Sequence, residues 1–267
     1  MKKMTVQLFK TAVALALCAA AVTAAHANTL ADIKKRGEIA IAVDLGTPPF
    51  GSVNAQLQPF GADVDVATKL AKDMGVKLRI VEVTGPNRIP FLMTQKADIV
   101  ISSFAITPER EKVVDFVPYS VNRLVVFAPA PVAINSMNTL VGKKIAVVRG
   151  NLQDTELTRR APQGTILSRY DDDATTIAAL LSGQVDALCA PYGMFLSLQQ
   201  QYADKKLEIK LDVTVQPLGI GLRKNDPELK AWLTQWTDDN VKNGTLSTVF
   251  QKYMGVPLPD LKQFAKK

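Results

Sequence analysis

ADIVISSFAITPEREKVVDFVPY, residues 97–119, is the stretch on which the fold turns. Ile99-Val100-Ile101 reads as a short buried strand that runs directly into Ser102 and Ser103. Thr107-Pro108-Glu109-Arg110 follows, which places an arginine just past a helix start with proline in its first turn. That order sets two hydroxyls, a loop of backbone N–H groups and a guanidinium at the carboxyl end of one strand. In open α/β sheets this end is where ligands bind. Every group offered can donate, and the arginine fork matches two oxygens, so the natural complement is a carboxylate. The same residues also fit a plainer arrangement: a strand, a polar turn, and a surface arginine paired with Glu109 or Glu111.

Working outward, the chain alternates strand and helix. Glu38–Val43 is a strand ending at Asp44, followed by the rigid loop Leu45-Gly46-Thr47-Pro48-Pro49-Phe50-Gly51. Val64 to Met74 has one apolar face and reads as a helix, with Asp63 as its cap and Gly75 as its stop. A strand over Lys77–Val83, a short helix around Asn87–Leu92 and the strand Ala97–Ser102 complete a βαβ rhythm of mostly parallel strands. The rhythm restarts at Lys143–Val148, with Gly150-Asn151 leading into a helix over Leu152–Arg160. A helix over Thr175–Leu181 and a strand over Gln184–Cys189 follow. The apolar runs Val121–Ala128 and Val215–Arg223 read as crossovers between two similar α/β lobes. Helices beginning at Asp226-Pro227 and near Leu246 would return to the first lobe, and the tail beyond Gly255 is expected to fray. A cleft between two such lobes is the natural ligand site.

Composition removes many alternatives. MKKMTVQLFK is basic, TAVALALCAAAVTAA is apolar and small, and Ala25-His26-Ala27 fits a cleavage pattern, so residues 1–27 read as a signal peptide. Cys18 leaves lipidation as an alternative, although Leu17 is large where a small residue is expected. Cleavage would lower the net charge from +7 to +4, and no dense Lys/Arg run suggests nucleic-acid binding. His26, the one histidine, would leave with the signal. That excludes His-based catalytic triads and His-ligated metals from the mature chain. Cys189 alone would remain, in an apolar strand, as a small core residue. No catalytic residue, metal ligand or cofactor is expected.

The chain resembles the periplasmic solute-binding proteins of ABC transporters, in the group serving polar amino acids. The resemblance rests on GEIAIAVDLGTPPF (37–50), GADVDVATKLAKDMGV (61–76), NRIPFL (87–92) and the 97–119 stretch. It continues through LVGKKIAVVRG (140–150), GQVDALCA (183–190) and GIGLRKNDPELKAWL (219–233). It implies an α/β fold of two Rossmann-like lobes joined by two hinge crossovers. The lobes would be 28–122 with 221–267, and 123–220. It also implies a periplasmic, monomeric receptor that hands a small carboxylate, in the first place an amino acid, to the membrane permease of an ABC transporter. Arg110 would clamp the carboxylate. Ser102, Ser103 and the backbone at Phe104 and Ala105 would bind the ligand backbone. Asp44 and Thr47 would face the cleft from the first loop, and Gly150, Asn151 and Leu152 would meet the carboxylate from the second lobe. Arg88, in Asn-Arg-Ile-Pro, resembles members that bind acidic amino acids or cysteine, and equally fits a capping or interlobe role.

Four positions depart from the family pattern. The aspartate that usually meets the ligand ammonium is replaced by the Ala190-Pro191-Tyr192 segment, which puts Pro191 at the site. Gly85 stands where an aromatic platform is expected, Asn151 where threonine is usual, and Ala105 where serine or threonine is common. An ammonium without a counter-charge is costly to bury. Either Asp44 takes over, or the ligand is a keto acid or other carboxylate without an α-amino group. An exported enzyme similar to cyclohexadienyl dehydratases, with Asp44 as general acid, is the remaining functional alternative. A signalling ectodomain is disfavoured by the lack of a span after the last helix.

Overall fold

The structure, a computed structural model, describes residues 29–264. The expected signal segment, with Cys18 and His26, lies outside the described residues. Helix α1 (Thr29–Arg36) leads into β1 (Glu38–Val43), whose residues after Glu38 are all buried, as suits a strand covered on both faces. A small hairpin, β2 (Ser52–Val53) and β3 (Pro59–Phe60), precedes α2 (Ala62–Met74). Val66, Ala67, Leu70, Ala71 and Met74 form the buried stripe of α2, and Gly75 ends it in the left-handed conformation at φ 74°. Asp63 is not the cap. The helix starts two residues earlier, at Ala62, and the Asp63 side chain turns inward.

β4 (Lys77–Glu82), α3 (Arg88–Met93), β5 (Ile99–Val100) and the single turn α4 (Pro108–Glu111) complete the first half. The second half contains β7 (Lys144–Val148), α5 (Leu152–Arg160), β8 (Ile166–Tyr170), α6 (Asp173–Leu181), β9 (Ala187–Pro191) and α7 (Tyr192–Gln201). Strands β6 (Val114–Pro129) and β10 (Leu207–Arg223) join the halves. The order across the sheet is β4-β1-β5-β10-β6-β9-β7-β8. Pairs β1–β4, β1–β5, β7–β8 and β7–β9 are parallel, and β6 and β10 are antiparallel to each other and to their neighbours.

The two crossovers are therefore longer than their apolar runs suggested. Gly221 and Leu222 of β10 pair with β5, whereas Leu124–Phe127 of β6 pair with β9. Each long strand thus belongs to one lobe at one end and to the other lobe at the other. Their mutual ladder shifts register between Ile209 and Leu211, Asp212 and Thr214, and Leu218 and Gly219. Such irregularities add bend and twist, which is what a strand crossing between lobes requires.

Helices α8 (Pro227–Lys242) and α9 (Thr245–Met254) return to the first lobe, with α8 on α1 and β6 and α9 on α2. Trp236 packs into this core and its indole N–H donates to Asp73 at 2.8 Å. The chain beyond Gly255 does not simply fray. Leu258, Leu261 and Phe264 pack on the core, the last two from a short 3-10 turn. Cys189 is fully buried, and burial pushes its thiol pKa up, as a core residue should show. Among the described residues no helix is long and apolar enough to cross a membrane.

Candidate functional site

The carboxyl ends of β1, β5 and β9 converge with the amino ends of α5 and α6 on one cavity. Asp44, Thr47, Arg88, Ser102, Ser103, Ala105 and Arg110 line it from the first half of the chain. Asn151, Leu152, Gln153, Asp173 and Pro191 line it from the second, and Asn122 of β6 from the hinge. Ten of the twelve residues expected at a ligand site thus share one cavity. The other two stand just behind it. Phe104 is buried, and the guanidinium carbons of Arg88 and Arg110 lie 5.1 and 5.0 Å from its ring centroid. Gly150 contributes backbone: its carbonyl accepts from Arg110 Nη2 at 3.3 Å, and its N–H donates to Asp154 at 3.0 Å.

Local folding sets each wall. Thr107 caps α4, its hydroxyl accepting from the Arg110 N–H at 3.3 Å. This fixes the root of the Arg110 side chain, whose Nη1 donates to the Ala105 carbonyl at 2.9 Å. Ser103 has φ 43°, an uncommon conformation for a residue with a side chain. The inward-turned Asp63 holds it there, accepting from the Ser103 N–H at 2.6 Å and from the Tyr119 hydroxyl at 2.6 Å. Asn151 occupies the N-cap of α5 without capping it, because its side chain accepts from Arg88 Nη2 instead. The leading N–H groups of α5 have no partner within the helix.

The two arginines differ. Arg88 is buried, and its guanidinium donates to the carbonyls of Gly85, Ser102 and Ser103 and to Asn151. It works as an internal brace that ties both walls together. Arg110 is half-buried and donates to two carbonyls, Ala105 and Gly150. Among the described residues no carboxylate forms a salt bridge with it. Burial, and then the positive charge of Arg88, lower its pKa to about 9.

Two polar oxygens in this cavity are buried with no hydrogen-bond partner: Ser102 Oγ and Asp173 Oδ1. The other Asp173 oxygen accepts from the Thr47 hydroxyl at 2.6 Å, across the cleft. Burial, then the neighbouring Asp44, raise the Asp173 pKa to about 7. Burial also raises that of Asp44, opposed by Arg88 and by the Gly46 N–H, which donates to it at 3.0 Å. Among the described residues no group of three or more His, Cys, Asp or Glu could hold a metal ion.

Asn122, Gln153 and Asp173 were not anticipated. Asp173 lies in Asp171-Asp172-Asp173 ahead of a helix, where acids usually serve as caps. Asp172 does so, accepting from Thr175 N–H at 2.7 Å, whereas the Asp173 side chain is buried. Asn122 and Gln153 carry no sequence signal beyond being polar within a buried stretch.

A polar cleft lies between two halves joined by paired crossover strands. Residues 39–256 match the model of the bacterial extracellular solute-binding proteins, family 3. The chain belongs to that family. Among its relatives, the L-cystine-binding protein of Escherichia coli (strain K12) is 28% identical, over 86% of this chain and 88% of its own length. The solute receptor for L-cysteine of Neisseria gonorrhoeae superposes with a TM-score of 0.79 at 28% identity, covering 89% of this chain and 96% of that one. An ancestral amino acid-binding protein described as a precursor of cyclohexadienyl dehydratase gives a TM-score of 0.78 at 32% identity, over 85% and 99%. These neighbours share the two-lobed α/β fold.

Proposed function

We propose that this family 3 protein is a periplasmic receptor that captures one amino acid and delivers it to an ABC importer. The observation that carries the reading is Arg110. A guanidinium placed among backbone carbonyls and an aromatic face, with no salt-bridge partner among the described residues, is a site for a carboxylate supplied from outside. The roles assigned to Ser102, Ser103, Asp44, Thr47, Asn151 and Leu152 rest on their place around the same cavity. Arg88 acts on the ligand indirectly, by bracing the loop of Ser102 and Ser103. The lobes are taken as 28–122 with 221–267, and 123–220, and the receptor as a monomer without cofactor.

The relatives' names support a receptor over an enzyme. The ancestral neighbour keeps the enzymatic reading in view, since Asp44 and Asp173 are acids facing the cleft with raised pKa values. One experiment separates these readings. The purified mature protein is screened by thermal shift against the coded L-amino acids, cystine and their keto acids, and is incubated with prephenate while product is followed. Saturable stabilisation by one amino acid without prephenate turnover supports the receptor. Turnover, or stabilisation by keto acids alone, overturns the amino-acid receptor.

A further inference from the structure

We propose that Asp173, seated against Thr47 across the cleft, is the counter-charge that holds the ligand's ammonium group. The inference rests on the amino-acid reading above and deepens it. The family's usual carboxylate position is filled by Pro191, which lines the cavity but can neither carry charge nor donate. Asp173 reaches the same cavity from a different element, the first turn of α6 rather than the end of β9.

Three features make it a ligand group rather than a structural one. Asp173 lines the cavity at 4% exposure, and its buried Oδ1 has no hydrogen-bond partner. A buried carboxylate oxygen left unpaired is costly in the folded protein alone, and an ammonium donor removes that cost. Its other oxygen is held by Thr47, so the carboxylate is positioned only when the two walls meet. Asp44, from the opposite wall, lines the same cavity, so two carboxylates face one ligand space. Of the remaining charged groups that act on Asp173, Arg88 opposes its pKa rise and Asp172 adds to it, and Arg88 is already engaged by protein acceptors. Ser102 Oγ, the second unpartnered oxygen of the cavity, belongs to the wall that carries Arg110. A ligand bearing both a carboxylate and an ammonium would therefore satisfy Arg110 and Asp173 together.

The test uses the whole mature protein and its Asp173→Asn variant, which keeps the shape and one acceptor. Calorimetry is run with each coded L-amino acid, with cystine, and with the des-amino acid of every amino acid that binds wild type. Thermal unfolding verifies that the variant is folded, and Thr47→Val, which removes the hydroxyl but keeps the carboxylate, serves as a second variant. Loss of a charge-assisted hydrogen bond predicts about ten- to a hundredfold weaker amino-acid binding in Asp173→Asn. Thr47→Val should weaken it less, and the des-amino acid should lose far less affinity than the amino acid in Asp173→Asn. Equal losses for amino acid and des-amino acid, or an unchanged affinity for the amino acid, overturn the assignment while leaving the receptor intact. If no amino acid binds wild type, the amino-acid reading falls and this assignment falls with it.

Discussion

A methyl group built on Gly85 would overlap the side-chain amide of Asn151 from the opposite wall. Two departures from the family pattern are thus one structural event. Removing the side chain at 85 opens a space, Asn151 fills it, and the amide reaches Arg88 Nη2 there. Gly85→Ala should displace Asn151, destabilise the arrangement of the two walls by about 1–3 kcal/mol, the usual cost of overpacking, and so weaken ligand binding. Adding Asn151→Ala should recover part of that loss, because it vacates the contested space. Additive losses in a double-mutant cycle measured by calorimetry would show that the two positions act independently.

Arg110→Ala should abolish measurable binding while the protein stays folded. Truncating one partner of a charge pair that the bound ligand closes off from water costs about 2–5 kcal/mol, more than a tenfold loss even at the low end. Near wild-type affinity by calorimetry would remove the carboxylate clamp. Arg88→Ala should behave differently. It frees the carbonyls of Ser102, Ser103 and Gly85, so lowered thermal stability should accompany any loss of affinity.

Much of this site could be read in the chain, and the unread part has a common cause. The 97–119 stretch disclosed a strand, its polar loop and Arg110, because periodicity and turn chemistry are local properties. The parallel arrangement of β1, β4 and β5 followed from the same kind of signal. Helix α7 was not legible, since YGMFLSLQQQ lacks a clean stripe, and neither was β8, with polar Ser168 and Arg169 in its centre. Asp63 looked like a cap because acids at helix starts generally are. Its real role, holding Ser103 at φ 43°, depends on a residue forty positions away. Asp173 was hidden for the same reason. Only folding brings it to Thr47, a separation of 126 residues.

Stability of the unliganded protein should fall as pH rises from about 4 to about 7. The pKa values of Asp63 and Asp173 are both raised from 3.8 to about 7, chiefly by burial. A carboxyl whose folded-state pKa exceeds its unfolded value binds more protons in the native state throughout that window. The slope of stability with pH is then negative there and vanishes above it. Arg88 opposes the rise at both sites and Asp44 adds to it, while Tyr119 and Ser103 lower Asp63 by hydrogen bonding. Asp173→Asn should flatten part of the slope. Urea midpoints at pH 5 and pH 8 measure it, and an equal pH response in variant and wild type would mean that Asp173 is ionised throughout.

The last prediction concerns closure. Contacts that bridge the two walls include Thr47 to Asp173, Arg88 to Asn151 and Arg110 to the Gly150 carbonyl. These are a few polar bonds, each of modest net strength in the presence of competing water. An ammonium and a carboxylate bound between Asp173 and Arg110 would add charge-assisted bonds to both walls and favour the closed arrangement by their differential affinity for it. The motion should centre on the register shifts of β6 and β10, especially Leu218/Gly219, where Gly219 lies so close to Phe116 and Ile106 that a side chain would clash. Small-angle scattering should therefore show a smaller radius of gyration at saturating amino acid than without it. Gly219→Ala should perturb that change without touching the ligand. An identical scattering profile with and without an amino acid that calorimetry shows to be bound would mean that the walls are already joined before binding.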